Sequence, residues 1–443
     1  MSGLVYSGAP SCANMVISQY SLPSHARGGA KSHWAVLVWM ASLWGYTGRG
    51  VLPNGWAGIV APAVVGLSFI WIVVLPAIME RRCAVATSRP ALILAVLFGF
   101  WAIPMGFHWW DSDAAPHFEM WFRMLVKWVA GFMAAMCVVV LRDKARWGAG
   151  VSITIMACVA AGVLLVNRDV FWISEHQDTA NRVEAAIASS VSLGLIFTMG
   201  FGVGAAMVRS NPALGGALLL LTTAGNAVCM QRFGIVIQPL IVLMFAGWRV
   251  GCLWCCVLAA VAMMSGLWFD DWPVIDPLIG YFGGVVDGGA LTIRGDLMGS
   301  ALVAFTESPC FGIGPGRWPA GEYPHSFVLQ SFSDLGVLGG IASLVLALSV
   351  VYALWRFARQ GASWPVHDRA FVAAATCGWL FSMKAGDLQS ADVLVPLAAG
   401  VWGAGRVTTG RAAPMRPSAC GWLGCRWLLN EWRPPSDGRE QQG

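Results

Sequence analysis

The sequence predicts an all-α polytopic membrane protein of about twelve transmembrane helices with one large outer loop. Three observations predict it. Hydrophobic residues make up 57% of the 443 positions, charged residues only 12%, and the mean hydropathy is +0.65. A soluble domain carries roughly twice that share of charge, about 25%. The apolar residues come in continuous runs that do not alternate, which selects spanning helices over a β-barrel. The basic residues, finally, fall on alternate connections between the runs. This balance excludes a soluble enzyme, a disordered tail protein and a coiled coil.

The runs lie near 33–48, 56–79, 91–110, 121–141, 148–166, 186–208, 212–228, 233–248, 250–268, 336–355, 370–386 and 390–405. A run of about 20 residues crosses about 30 Å of hydrocarbon. The shorter runs fit tilted or broken helices. Residues 1–30 hold no apolar core of a cleavable signal and end in a basic stretch, Arg27 to Lys31. An even number of spans puts both termini on one side. With that side cytoplasmic, 19 of the 28 Lys and Arg fall inside, among them Arg81, Arg82, Arg142, Lys144, Arg146, Arg209, Arg356 and Arg369. Every basic-rich connection then lies inside. The chain divides into spans one to nine over 1–268, a large outer loop over 269–335, spans ten to twelve over 336–405, and a tail over 406–443.

The 269–335 loop is not of low complexity. It holds Trp272 and Trp318, many Gly and Pro, and an apolar stretch, Ile293–Phe305, that predicts a short helix ending before Pro309. A long connection in a compact architecture is usually functional, and this one reads as a folded lid on the membrane surface. The tail, basic and holding Pro414, Pro417, Pro434 and Pro435, is suited to anionic lipid and has no catalytic part. Half of the twelve cysteines sit within apolar runs. The Cys252, Cys255, Cys256 cluster has no second pair or histidine within reach, so packing is favoured over metal.

Ionisable residues at the outer side carry the candidate chemistry. Arg232 stands in a very short turn between two apolar runs, where an arginine either snorkels to the interface or binds an anion. Arg294 and Arg317 lie in the large loop, where each either pairs with Asp296 or Glu322 or helps to hold a phosphate. Arginine suits a diphosphate because its planar fork binds two oxygens and keeps its charge. His325, shortly before the tenth span, is either structural or a general base. His108, His117 and His176 share its side. The Gly312, Gly314, Gly316 run is not a nucleotide-binding loop, since no Gly-Lys-Ser/Thr follows. Its glycines allow tight turning and close approach. Neither an HExxH nor a GxSxG motif appears where it could serve.

Through Ser308-Pro-Cys-Phe-Gly-Ile-Gly-Pro-Gly316, Pro324-His-Ser-Phe-Val-Leu-Gln330 and Leu335-Gly-Val-Leu-Gly-Gly340, the sequence resembles the O-antigen ligase and polymerase-like family. Ligases of that family show a His, then Asn, Ser or Gln, nine residues, and Gly-x-x-Gly/Thr/Tyr. His325, Ser326, Gly336 and Gly339 match in full. At the motif level the resemblance covers about 290–345. It extends as architecture over nearly the whole chain.

The resemblance implies a GT-C-like fold in a bacterial inner membrane, with the large loop periplasmic. It implies a lipopolysaccharide O-antigen ligase, moving a glycan from undecaprenyl diphosphate to a sugar hydroxyl of lipid A–core, with inversion. The family's histidine corresponds to His325, acting on the acceptor hydroxyl, and its arginines to Arg232 and Arg294, on the diphosphate. The family's Arg-x3-Leu has Met298 at its last position here. Arg317 is placed by position alone; Gly314, Gly316 and Ser326 are expected beside it at the substrate. No cofactor, metal or nucleic acid is implied, because the glycosyl diphosphate carries the energy. The expected partners are the lipid-linked O-antigen donor, the lipid A–core acceptor and membrane lipid. An O-antigen polymerase is the nearest alternative, and the intact motif favours the ligase. A protein O-oligosaccharyltransferase fits less well with so short a tail. A secondary transporter or lipid flippase is the alternative from another class, although no internal repeat is found and the notable charges gather at the outer face.

Overall fold

The computed structural model describes residues 24–47, 56–79, 88–110, 118–166, 190–229, 232–268, 289–315, 317–318, 324, 326–360, 363–385 and 390–405. The last 38 residues, with the basic tail, lie outside them, as do residues 269–288 of the large loop.

Among the described residues every regular element is a helix, and no strand occurs. In chain order the elements are α1 (Ser24–Thr47), α2 (Trp56–Phe69), a π segment (Ile70–Val74), α3 (Leu75–Met79), α4 (Arg89–Trp110), α5 (Phe118–Leu141) and α6 (Asp143–Val166). There follow α7 (Ser190–Met207), α8 (Pro212–Val228), α9 (Arg232–Val236), α10 (Gln238–Phe245) and α11 (Trp248–Trp268). The large loop contributes α12 (Gly289–Glu307), and α13 (Phe327–Gln360), α14 (Val366–Ala385) and α15 (Ala391–Val401) complete the fold.

Each of the twelve apolar runs overlaps helix among the described residues, although the run at 233–248 is divided between α9, α10 and the start of α11. Among the described residues, five helical stretches are long and apolar enough to cross a membrane: Ile59–Ile78, Arg89–Trp109, Trp121–Leu141, Asp143–Val166 and Phe327–Gln360. The outside of the bundle is apolar to match. Leu67, Ile70, Trp71 and Ile78 on the α2–α3 unit are exposed, as are Leu92, Ile93, Ile103 and Phe107 on α4 and Leu348 and Val351 on α13. Ser152, Thr198, Asn226, Gln238, Ser331 and Asp334 are instead buried inside. Large apolar side chains outside and polar ones inside invert the soluble pattern and belong to a protein solvated by lipid. The chain is an α-helical, membrane-embedded protein.

At the centre stand α7, α14 and α15. Residues 193–206 and 391–401 are buried along their whole length. Around them pack α1, α5, α6, α8 and α13, with α2, α4, α11 and α12 outermost. Side-chain bonds to backbone tie neighbouring helices: Trp39 Nε1 donates to the Ala145 carbonyl at 2.9 Å, and Ser152 Oγ to that of Val36 at 3.1 Å. Both fasten α1 to α6. Away from water such bonds have no competitor, so each resists sliding of one helix past the next.

The predicted Ile293–Phe305 helix lies within α12, which ends at Glu307 ahead of Pro309. The tenth apolar run, read as 336–355, is part of α13, which begins earlier at Phe327 and includes the polar residues Ser331, Ser333 and Asp334. That longer element builds the site below.

Candidate functional site

α13 is not one continuous helix. At Gly336 the backbone takes φ 65° and ψ −160°, which breaks 34 residues into a short N-terminal segment and a long C-terminal one. A break inside an apolar helix strands backbone groups that lipid cannot satisfy. Here a neighbouring strap satisfies them, made of residues 308–315 with Arg317 and Trp318. The Ile313 N–H donates to the Ser333 carbonyl at 2.9 Å, the Gly314 N–H to that of Asp334 at 3.0 Å, and the Val337 N–H to that of Pro309 at 2.8 Å.

Two glycines make this contact sterically possible. Gly312 has φ +74°, and a Cβ there would overlap the Asp334 carbonyl carbon. Gly336 has φ +65°, and a Cβ there would overlap the Cys310 carbonyl. Each backbone therefore passes through the space a side chain would need on the other, in a conformation L-residues rarely adopt.

A buried polar cluster sits under the strap. Ser326, Gln330, Ser331, Ser333, Asp334 and Ser343 are all buried. The Asp334 carboxyl gathers three donors: Trp318 Nε1 at 2.6 Å and Ser333 Oγ at 3.2 Å on one oxygen, Gln330 Nε2 at 3.0 Å on the other. Ser343 Oγ donates to Ser331 Oγ at 2.6 Å, joining the two segments of α13 across the break. Buried polar groups are costly unless paired, and here they are paired with one another.

Below lies an aromatic layer. Trp101 stacks on Trp128 at 4.5 Å and meets Phe132 and Phe327 edge-on, while Phe327 meets Trp379. Trp101 Nε1 donates to the Gly339 carbonyl at 2.9 Å, which secures α4 to the long segment of α13. His108, at the end of α4, donates from Nε2 to the Phe311 carbonyl at 2.8 Å and holds the strap from its other side.

The site residues expected from sequence fall as follows. Gly314 is buried at φ +94°, with the His108 ring 3.0 Å from where a Cβ would stand. Arg317 is half-buried on the strap, and Ser326 is buried just ahead of α13, its carbonyl accepting the Gln330 N–H at 2.8 Å. Strap and α13 thus bring Gly314, Arg317 and Ser326 into one substructure. Arg232 opens α9 and Arg294 lies in α12; their side chains, and the whole of Gly316 and His325, lie outside the described residues. α9 packs on α7, α8, α10 and α14, whereas α12 packs on α13. Pro324 and Ser326, on either side of His325, are buried.

Asp334, Trp318 and His108 were not among the site residues read from sequence. Asp334 had a signal: a carboxyl flanked by Phe332, Leu335 and the apolar run from 336 is a costly residue in lipid. Placing it in the outer loop concealed that cost.

No known family model matches this chain, and no curated protein matches it.

Proposed function

We propose that the chain is a membrane glycosyltransferase of the O-antigen ligase kind, moving a glycan from a polyprenyl diphosphate to a sugar hydroxyl of lipid A–core. In this reading it has twelve spans in a bacterial inner membrane, a GT-C-like arrangement, both termini cytoplasmic and the strap facing the periplasm. The observation that supports it is that Ser326, Gly336 and Gly339 of the His-Ser-x9-Gly-x-x-Gly pattern fall on a built substructure. Ser326 is buried at its start, Gly336 breaks the helix and receives the strap, and the Gly339 carbonyl accepts from Trp101. Such local irregularity in lipid is tolerated where protein satisfies it, and it marks functional sites.

The acceptor hydroxyl oxygen attacks the anomeric carbon while the bond from that carbon to the diphosphate oxygen breaks, inverting the centre. His325 takes the hydroxyl proton. The electron pair leaves with the lipid diphosphate, whose growing charge Arg232 and Arg294 offset. Arg317 on the strap meets the same head group, with Gly314, Gly316 and Ser326 shaping the seat.

The test is reconstitution of purified protein with lipid-diphosphate-linked glycan and lipid A–core in EDTA. Glycan joined to the core, with the rate lowered about 10²- to 10⁴-fold in His325→Ala, supports the reading. Polymer on the lipid carrier with bare core would mean a polymerase. A second reading is favoured by one feature, the broken helix with a buried carboxyl at Asp334, which also suits a transporter or flippase. Uptake into sealed vesicles with no covalent product would establish that reading instead.

A further inference from the structure

We infer that Asp334 is a positioning residue, holding Trp318 and with it Arg317 against the broken helix so that the strap forms one wall of the lipid-diphosphate site. This rests on the reading above for what the strap binds, but not for how the strap is held. The strap's N–H groups at Ile313 and Gly314 donate to α13, and the Arg317 N–H donates back to the Gly314 carbonyl at 3.4 Å. Beyond Pro315, the Trp318 Nε1 bond to Asp334 Oδ1, at 2.6 Å, joins the strap to α13 again.

Asp334 is suited to this because it is itself fixed. It is fully buried, one oxygen faces Gln330 a helical turn earlier, the other is shared with its neighbour Ser333, and its own carbonyl accepts from Gly314. Backbone and side chain of one residue therefore hold two points of the strap, on either side of Pro315. Arg317 lies between those points, next to the indole that Asp334 grips. A guanidinium binds a diphosphate more tightly when its approach is set in advance. Asp334 touches no reacting atom and acts through Trp318.

The experiment combines hydrogen exchange with kinetics on the full-length protein in nanodiscs. The variants are Trp318→Phe, which keeps the ring and removes the donor, Asp334→Asn, which keeps size and one acceptor oxygen, and Asp334→Ala. The expected result has three parts. Peptides covering 308–318 exchange faster in Trp318→Phe and Asp334→Ala, with peptides of α7 unchanged. The KM for the lipid-diphosphate donor rises roughly tenfold while kcat stays within about twofold. Asp334→Asn recovers most of both, and Trp318→Phe with Asp334→Ala is no worse than Asp334→Ala alone.

Unchanged exchange in the strap would overturn the inference, and so would a collapse of kcat at constant KM, or additive effects of the two substitutions. A wild-type protein that gives no covalent product, but whose strap still loosens on Trp318→Phe, would overturn the ligase reading and leave the anchor standing.

Discussion

The Asp334 carbonyl fills the space a Cβ on Gly312 would need, and the Cys310 carbonyl fills that of Gly336, so substitution of either glycine should cost far more than a helix-propensity scale suggests. Gly336→Ala forces a residue with a Cβ into φ 65° and onto the Cys310 carbonyl. A strained backbone of that kind costs about 1–3 kcal/mol before the overlap is relieved. The strap should detach or the helix straighten, with transfer activity lost and the melting temperature in detergent lowered. Gly216→Ala on α8, where an added Cβ meets nothing within 4 Å, should be neutral or stabilise by up to about 1 kcal/mol. If both variants melt alike, the interlock has been misjudged. His367 gives a second prediction at this scale. Half-buried at the start of α14, near Asp368, Arg146 and Asp143, it is held below the usual histidine range, first by burial and then by Arg146, while the two carboxylates oppose this. Below about pH 6.5 the unfolded chain then binds a proton that the folded chain refuses. Stability should fall as pH drops from about 6.5 to the lower folded value, and level off beneath it. His367→Gln should flatten this part of the melting-temperature curve. Single residues were partly legible in the sequence. Gly314 and Ser326 were singled out by the family resemblance and Arg317 by position, whereas the grip of Asp334 on Trp318 depends on a fold-back that spacing does not encode.

Among the elements, α6 and α14 are joined by a charge pair that behaves differently from the basic residues on the connections around it. Arg146 donates from Nε to Asp368 at 2.5 Å and from a terminal nitrogen to Asp143 at 2.6 Å, and both Arg146 and Asp368 are buried. The other oxygen of Asp368 accepts the Gly405 N–H at 2.8 Å, tying in the chain beyond α15. Arg356 of α13 reaches the same end: it donates to the Ala404 carbonyl at 3.2 Å and lies over Trp364 at 5.5 Å. Removing one member of a buried pair leaves the other uncompensated, at a cost of about 3–5 kcal/mol. Asp368→Ala should therefore lower the melting temperature, because the buried Arg146 is left with only the exposed Asp143 and the Gly405 N–H loses its acceptor. Arg146→Met together with Asp368→Leu should melt above Asp368→Ala. A double variant that melts lower still would mean that the pair is not acting as a unit. In the sequence Arg146 and Arg369 read as basic residues on two connections between apolar runs, and no spacing names Asp368 as the partner of Arg146. Helix positions were far more legible, since continuous apolar runs leave few choices in lipid. α13 was the exception: the Ser and Asp residues of its first segment lowered the local hydropathy, and the element was cut short at the residue where its helix breaks.

For the whole molecule, the burial pattern and the charge pattern are independent signals that make one joint prediction. Exposed apolar side chains ring the outside on α2, α4, α11 and α13, and the Arg146–Asp368–Arg356 cluster lies at the opposite end of α13 from the strap. A membrane potential and anionic lipid retain Lys and Arg on the cytoplasmic side. The end with Arg142, Lys144, Arg146, Arg209, Arg356 and Arg369 should then be cytoplasmic, and the strap with Gly314 and Arg317 should be outside. Single cysteines introduced into a variant lacking the native ones, at Lys144 and Ser210 on one end and Thr306 and Arg317 on the other, distinguish the orientations. A membrane-impermeant maleimide applied to intact spheroplasts should label 306 and 317 and leave 144 and 210 unlabelled until the membrane is opened. The reverse pattern would put the strap in the cytoplasm. A periplasmic lipid-diphosphate reaction would then be excluded, however well the buried cluster is built.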